Sequence, residues 1–533
     1  MAEKNNRSQI LKSSLGTALA TLASRMLGLI RVALEARVLG GGELCSGWHL
    51  GVAIPNLFRR LLGEGALGTA LIPIVAETEK TRGVEAVRRE LGVVFALLGA
   101  LLAVIVILVG GGAWLLERLT VDATGFWGTE RMHICLKLLP LLMPYAFFIC
   151  LVGVIGSVLN YSRVFVLPAL GALLLNIFLI GGLGVLWYFC RGDLGQIGGY
   201  LPLLAGLVLI SGAVQLALML ILLAIYGRFP KWSLRTFRES DVGKRLFKLA
   251  LPGMIGGAAL QVSFLVDRSL AMLLGPQAVP ALTFVDRIVD VPIGIFAVSL
   301  AAVLMATMAR SALEGGDKLA DDLAFGLRHV SFACMPLAAL VVFFHEPMLR
   351  LLCRGGNYTE SDLAAAHYVA IFYGMGIPLY CSLKVILPAF YARKIMDKPL
   401  YCSLAAIAVN IVLNLILMYP LKQGGIALAT VISSLVNNAL LLWLLRRGGL
   451  KLHVGEVLPA GVRSFVLAVA TGAGCFYLHR LWRGQGVRPW LAELGMFAAI
   501  SALFAAVYFL ASVLCRAREP REFLGMLRRR RAK

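Results

Sequence analysis

The chain has 533 residues, 59% of them hydrophobic and only 15% charged, with a net charge of +22 at pH 7 and a mean hydropathy of +0.83. That balance excludes an ordinary soluble enzyme or binding domain and requires an integral membrane protein. A membrane β-barrel is excluded as well, because it needs alternating strands of about ten residues, whereas the long uniformly apolar stretches here call for α-helices.

The N-terminal MAEKNNRSQILKSSLG is polar and basic. It has no short apolar core leading to a small-residue cleavage site, so the first helix is expected to be retained. Fourteen helices are expected, near residues 9–39, 46–76, 90–116, 132–160, 165–189, 197–226, 246–274, 279–309, 325–346, 363–392, 399–420, 424–445, 461–482 and 490–515. The ten cysteines follow no CxxC or paired spacing and read as small buried hydrophobes.

Lys and Arg on or flanking alternate connections divide 33 to 10, with the other 8 of the 51 inside helices. The excess lies on the N-terminal side and includes KWSLRTFRESDVGKRLFK (231–248) and LRRRRAK (527–533). The positive-inside rule therefore puts both termini in the cytoplasm. Scattered over short loops, these cations suit anchorage beside anionic membrane lipids and argue against a nucleic-acid partner.

A repeat at an interval of about 230 residues links LNYSRVFVLP (159–168) to AFYARKIMDKP (389–399), with Arg163 matching Arg393. Six helices per repeat makes the repeats parallel, which predicts two six-helix lobes around a central cavity. The expected division is 1–230, 231–450, a pair of extra helices in 451–515 and a basic tail at 516–533.

The cations within expected spans are Arg25, Arg31, Arg37, Arg59, Arg60, Arg268, Arg287 and Lys384. A mid-bilayer arginine costs about 2.5 to 3.5 kcal/mol on insertion scales, so it normally faces water or a partner. Arg37 and Arg268 lie near helix ends, where snorkelling suffices. Arg25, Arg59 and Arg60 are too deep for that. In IPNLFRRLLGEGALGTALIPIVAE (54–77), Asn56, Arg60 and Glu64 recur every four residues and share a helix face. Arg60 is thus expected to pair with Glu64, with Arg59 pointing about 100° away. In FVDRIVDVP (284–292), Arg287 lies one turn from Asp290, and Asp286 is spaced i, i+4 from Asp290; a locally neutralised cluster is the competing reading.

Arg25, Arg31 and Arg37 converge only if the first helix bends, for which Gly28 is the candidate. Five arginines in the first two helices stand against Glu35, Glu43 and Glu64. The N-terminal half of the cavity is therefore expected to be positive, and planar guanidinium suits a diphosphate. Together these features predict a transporter of a phosphorylated or carboxylated substrate. For coupling, the alternatives are the membrane potential acting on a cationic site, or Na+ or H+. Asp267, Asn410, Asn414 and Thr430 are candidate sodium ligands, against ordinary interhelical hydrogen bonding.

SRMLGLIRVALEARVLG (24–40), the 54–77 segment, FVDRIVDVPIGIFAVSLAAVLM (284–305) and KVILPAFYARKIMDKP (384–399) carry a resemblance over most of the chain. It is similar to the MurJ/MviN family, the lipid II flippases of the multidrug/oligosaccharidyl-lipid/polysaccharide exporter superfamily. The resemblance implies V-shaped lobes, with the last two helices forming a groove for a polyprenyl tail. It implies that lipid II moves from the inner to the outer leaflet of the bacterial cytoplasmic membrane, without cofactor or covalent catalysis. Headgroup handling falls on Arg25, Arg31, Arg59, Arg60 and Arg287, with Glu64 as acidic partner, Asn56 beside them, and Asp286, Asp290 and Lys384 as accessories. The partners implied are lipid II, membrane lipids and cell-wall synthesis proteins. Two family aspartates are replaced here by Val32 and Ser46, which puts an acidic outer gate in doubt and leaves Glu35 or Glu43 as substitutes.

Three rivals remain at this point. A flippase for another polyprenyl-diphosphate oligosaccharide differs only in headgroup. A cation-drug antiporter would want an acidic cavity. A membrane glycosyltransferase would want a substantial soluble domain, and neither metal-spaced histidines nor a P-loop or GxSxG motif is present.

Overall fold

The computed structural model describes residues 23–63, 66–162, 164, 166–294, 298–483 and 489–522. Among these residues no named strand occurs, as expected for a polytopic all-α membrane protein. The helices are α1 (residues 23–39), α2 (Glu43–Phe58), α3 (Ala66–Leu119), α4 (Glu130–Tyr161), α5 (Val166–Cys190), α6 (Leu194–Ile225), the short α7 (Leu234–Glu239) and α8 (Val242–Leu274). They continue as α9 (Ala278–Pro292), α10 (Val298–Glu314), α11 (Gly316–Cys353), α12 (Glu360–Ala392), α13 (Asp397–Arg447), α14 (Val454–Arg483) and α15 (Trp490–Leu514). Nine spans among the described residues are long and apolar enough to cross a membrane by length and composition.

Two of the long helices reverse within a single residue, at Gly83 (φ 79°, ψ 175°) in α3 and at Lys422 (φ 50°, ψ −134°) in α13. Bonds across each reversal show that its arms are antiparallel: Thr78 Oγ1 donates to Glu90 Oε2 at 2.7 Å, and Asn410 Nδ2 donates to Thr430 Oγ1 at 3.4 Å. With these reversals counted, the described segments follow the fourteen expected stretches in order. Glycine takes such a backbone without steric cost, but a residue with Cβ is strained there by about 1 to 3 kcal/mol. Lys422→Gly is therefore expected to stabilise the protein by about 1 kcal/mol after the entropic cost of glycine. The readout is a higher thermal unfolding midpoint in detergent; an unchanged or lower midpoint contradicts it.

The chain packs as two units, Met1–Pro280 with Gly355–Tyr358, and Ala281–Arg354 with Thr359–Lys533. The division falls after Pro280, not in the basic loop near 231. The reason is hydrophobic: Val242, Leu246 and Ala250 of α8 are buried in one cluster with Leu91 and Leu98 of α3, Val154 of α4 and Leu223 of α6. In this first unit α4 packs against α2, α3 and α6. The segment Gly355–Tyr358 closes the end of α1, where the Asn357 backbone N–H donates to Arg37 O and its Nδ2 donates to Val38 O, both at 2.8 Å.

The cations of the basic loop have protein partners. Arg228 Nη2 bonds both Glu79 oxygens at 3.0 Å, Arg245 Nη2 lies 2.6 Å from Glu77 Oε2, and Lys231 pairs with Glu85. The Lys231 ammonium holds the Glu85 carboxyl below the usual carboxylate range. That contact therefore persists at neutral pH and is lost as pH falls through the lowered value.

In the second unit α11 and α12 pack on each other, α10 packs on both, and α13 packs on α12. The last two membrane helices attach to α11, with Phe344, Ala468, Cys475, Phe504 and Tyr508 buried together and Tyr508 Oη donating to Phe332 O at 3.0 Å. Beyond α15, Glu519 is 1% exposed and accepts from Arg463 Nη2 at 2.7 Å. Arg463→Ala would strand that buried carboxylate, so it is expected to destabilise by about 1 to 3 kcal/mol. Adding Glu519→Gln should recover most of the loss in thermal unfolding; two additive losses would contradict a paired role.

Candidate functional site

In α1, helical on both sides of Gly28, Arg25 and Arg31 are half-buried. The Nε of Arg31 lies 3.8 Å from Oε1 of Glu35, one turn on. Glu35 is only 2% exposed, and α2 supplies its other neighbours. The Trp48 indole N–H donates to Oε1 at 3.4 Å, and His49 Nε2 lies 4.0 Å from Oε2. The two positions lacking the family's aspartates are both closed: Val32 is 3% exposed, and Ser46 is fully buried with its hydroxyl donating to Pro276 O. Glu43 is committed to α4, where Arg131 donates to it through Nη1 at 2.8 Å and through its backbone N–H at 3.0 Å. Arg131 also reaches Met272 O at the end of α8, with Nε at 3.0 Å. Thus Glu35 serves Arg31, whereas Glu43 ties three helix ends together.

Pro55 has no N–H for the helical ladder, and its ring crowds the preceding turn. Four residues later the helix widens into a π-helical turn, Arg59–Gly63. Such turns insert a residue and re-aim the side chains they carry, often at functional sites. This corrects the expected register. Arg59, not Arg60, is held by Asn56, through Nε to Oδ1 at 3.1 Å. Arg60 is exposed and turns to α8, where Nη1 donates to Gln261 Oε1 at 3.2 Å and the guanidinium carbon sits 5.6 Å from the Phe264 ring centre. Arg268 packs 4.7 Å from the same ring and is 3% exposed, so it does not snorkel as its place near a helix end suggests. Glu64, the expected partner of Arg60, lies outside the described residues.

The turn is seated on α4 by a backbone contact. A Cβ on Gly153 would stand 2.4 Å from Gly63 O and 2.9 Å from Gly63 Cα. No larger residue fits without moving the segment that carries both arginines.

The remaining candidates lie elsewhere. Arg287 on α9 is 3.8 Å from Asp290, both substantially exposed, with Asp286 half-buried; Lys384 is exposed on α12. Asn410 and Asn414 are buried in the second unit and bond each other, Asn414 Nδ2 donating to Asn410 Oδ1 at 3.1 Å, while Asn410 continues to Thr430. These amides stitch the two arms of α13 together. Asp267 is buried on α8, in the first unit. The sequence reading missed Gln261 and Phe264 beside Arg60. The only available signal was the six-residue approach to Arg268 along LQVSFLVDR (260–268), which is not specific.

Chemically, α1 and the broken end of α2 present guanidinium groups against one buried carboxylate, an arrangement suited to a multiply charged anion. The fold is that of a polytopic exporter of the multidrug and lipid-oligosaccharide kind. It matches the solved "Lipid II flippase MurJ, inward closed conformation" with a TM-score of 0.71 at 20% identity, over 93% of this chain and 99% of that one. It also matches an inward-facing multidrug resistance MATE family transporter of the MOP superfamily with a TM-score of 0.68 at 18% identity, over 81% of this chain and 99% of that one. The chain belongs to the lipid II flippase MurJ family, whose profile matches residues 35–492. The "Probable lipid II flippase MurJ" of Rhizobium meliloti (strain 1021) is 31% identical over 508 residues, covering 92% of each chain. That of Rhizobium tropici is 28% identical over 521 residues, covering 96% of this chain and 94% of its own.

Proposed function

We propose that this protein flips lipid II, the polyprenyl-diphosphate-linked peptidoglycan precursor, from the inner to the outer leaflet of the bacterial cytoplasmic membrane by alternating access. The observation that carries the reading is family membership across residues 35–492. The guanidinium groups of α1 and the π-helical turn support it, because a diphosphate cannot enter hydrocarbon without a polar route. Arg25, Arg31, Arg59, Arg60 and Arg287 handle the charged headgroup during the cycle. The tail stays in lipid beside α14 and α15, whose Phe465, Val466, Leu510 and Leu514 are exposed. No bond of the substrate is made or broken. Both termini face the cytoplasm, and the membrane potential, worth about 2.3 kcal/mol per charge per 100 mV, resets a cationic site toward that side.

The test is translocation of labelled lipid II by the purified protein in liposomes, with depletion in the host as its cellular counterpart. Flipping in vitro and accumulation of lipid II on the inner leaflet after depletion are expected; failure of both overturns the reading. Another polyprenyl-diphosphate oligosaccharide moved in preference would change the substrate. Rates that track sodium and not the potential would change the coupling.

A further inference from the structure

Glu35 is a buried carboxylate approached from two helices: by Arg31 of α1 at 3.8 Å and by Trp48 and His49 of α2 at 3.4 and 4.0 Å. Trp48 is itself 1% exposed, so this wall of the site is dry. The next charged groups are Arg37, two residues further along α1, and Glu43 of α2, which is taken by Arg131 of α4. On α8, Arg268 is stacked on Phe264.

The argument rests on the lipid II reading, in which Arg31 takes part in binding the diphosphate. Arg31 then has two anionic claimants. When phosphate takes the guanidinium, Glu35 loses its cationic partner, and a buried carboxylate without one is strongly disfavoured. Its neighbour His49 carries the one side-chain type that ordinarily gains charge near neutral pH.

We propose that Glu35 is a resident anion that holds Arg31 while the site is empty, and that phosphate binding hands Glu35 over to a newly protonated His49. The proton comes from water onto His49 Nε2 and returns to water when the phosphate leaves. Each lipid II loaded therefore carries one proton into the site, and release on the opposite face makes flipping proton-linked. Glu35 and His49 are positioning residues in this scheme.

The test is a binding titration of full-length protein in weakly buffered detergent, with a pH-indicator dye present. Lipid II is the probe because its diphosphate, esterified at both ends, does not itself titrate near neutral pH. The wild type is expected to take up about one proton per ligand bound, and its affinity to fall about tenfold from about pH 6 to pH 8. His49→Gln should take up none, with affinity changing less than about twofold over that range. Glu35→Gln should bind about tenfold more tightly than the wild type at about pH 8, also without uptake, since the competing charge is gone. Wild-type binding without proton uptake overturns the inference with no variant needed, as does undiminished uptake by His49→Gln. No binding of lipid II by the wild type overturns the functional reading itself.

Discussion

Arg59→Ala is expected to lower lipid II translocation about 30- to 150-fold, the equivalent of removing one charge-assisted contact of about 2 to 3 kcal/mol. Arg59 is half-buried in the π-helical turn, and Asn56 fixes its Nε at 3.1 Å, so the plane of the guanidinium is set before any ligand arrives. A preset fork loses less freedom on binding a diphosphate than an ammonium on a flexible stem. Arg59→Lys should therefore keep the charge yet recover less than about a tenth of the lost rate. Arg60→Ala should also impair flipping, with a further loss of the contacts to Gln261 and Phe264. The measurement is the initial rate in liposomes per folded molecule. Near-normal rates in both alanine variants would remove the anion site from the proposed mechanism.

The membrane helices were legible because a bilayer-spanning helix must be written as a long apolar run, and local composition suffices to find it. What was not legible came from contacts between distant segments. Periodicity put Asn56 and Arg60 on one face, which holds only while the helix keeps α register; the π-helical turn adds a residue just where Arg59 begins. Arg268 read as a snorkelling cation because nothing in its neighbourhood announces that Phe264 and α2 cover it. The charge of the 231–248 loop read as lipid anchorage, yet Lys231 and Arg245 meet Glu85 and Glu77 across the α3 reversal. The boundary after Pro280 follows from where Val242, Leu246 and Ala250 are buried, and no break in composition marks it. The arginines themselves were found from sequence, since charge at mid-bilayer depth is conspicuous against apolar neighbours.

Gly153→Leu tests whether the seat of the π-helical turn matters as much as the arginines it carries. The backbone of α4 comes so close to Gly63 that even a methyl at residue 153 would stand 2.4 Å from its carbonyl oxygen. The reverse contact is nearly as tight, with a Cβ on Gly63 meeting Cys150 Cα at 3.0 Å. Relief requires the turn to move outward, because the obstacle is backbone and not a side chain able to swing aside. Overpacking of this kind costs about 1 to 3 kcal/mol, so the unfolding midpoint in detergent should drop. A displacement of about 1 Å at a ligand-positioning group lowers rates about 100-fold in favourable cases, so flipping per folded molecule should fall by at least about tenfold. Gly153→Ala should lie between the wild type and the leucine variant on both scales. Gly111 on α3 is the control, since a Cβ there meets nothing within 4 Å. Its alanine variant should match the wild type. If Gly153→Leu loses stability while each folded molecule still flips lipid II at the normal rate, the turn can shift without consequence, and the position of Arg59 is set by Asn56 alone.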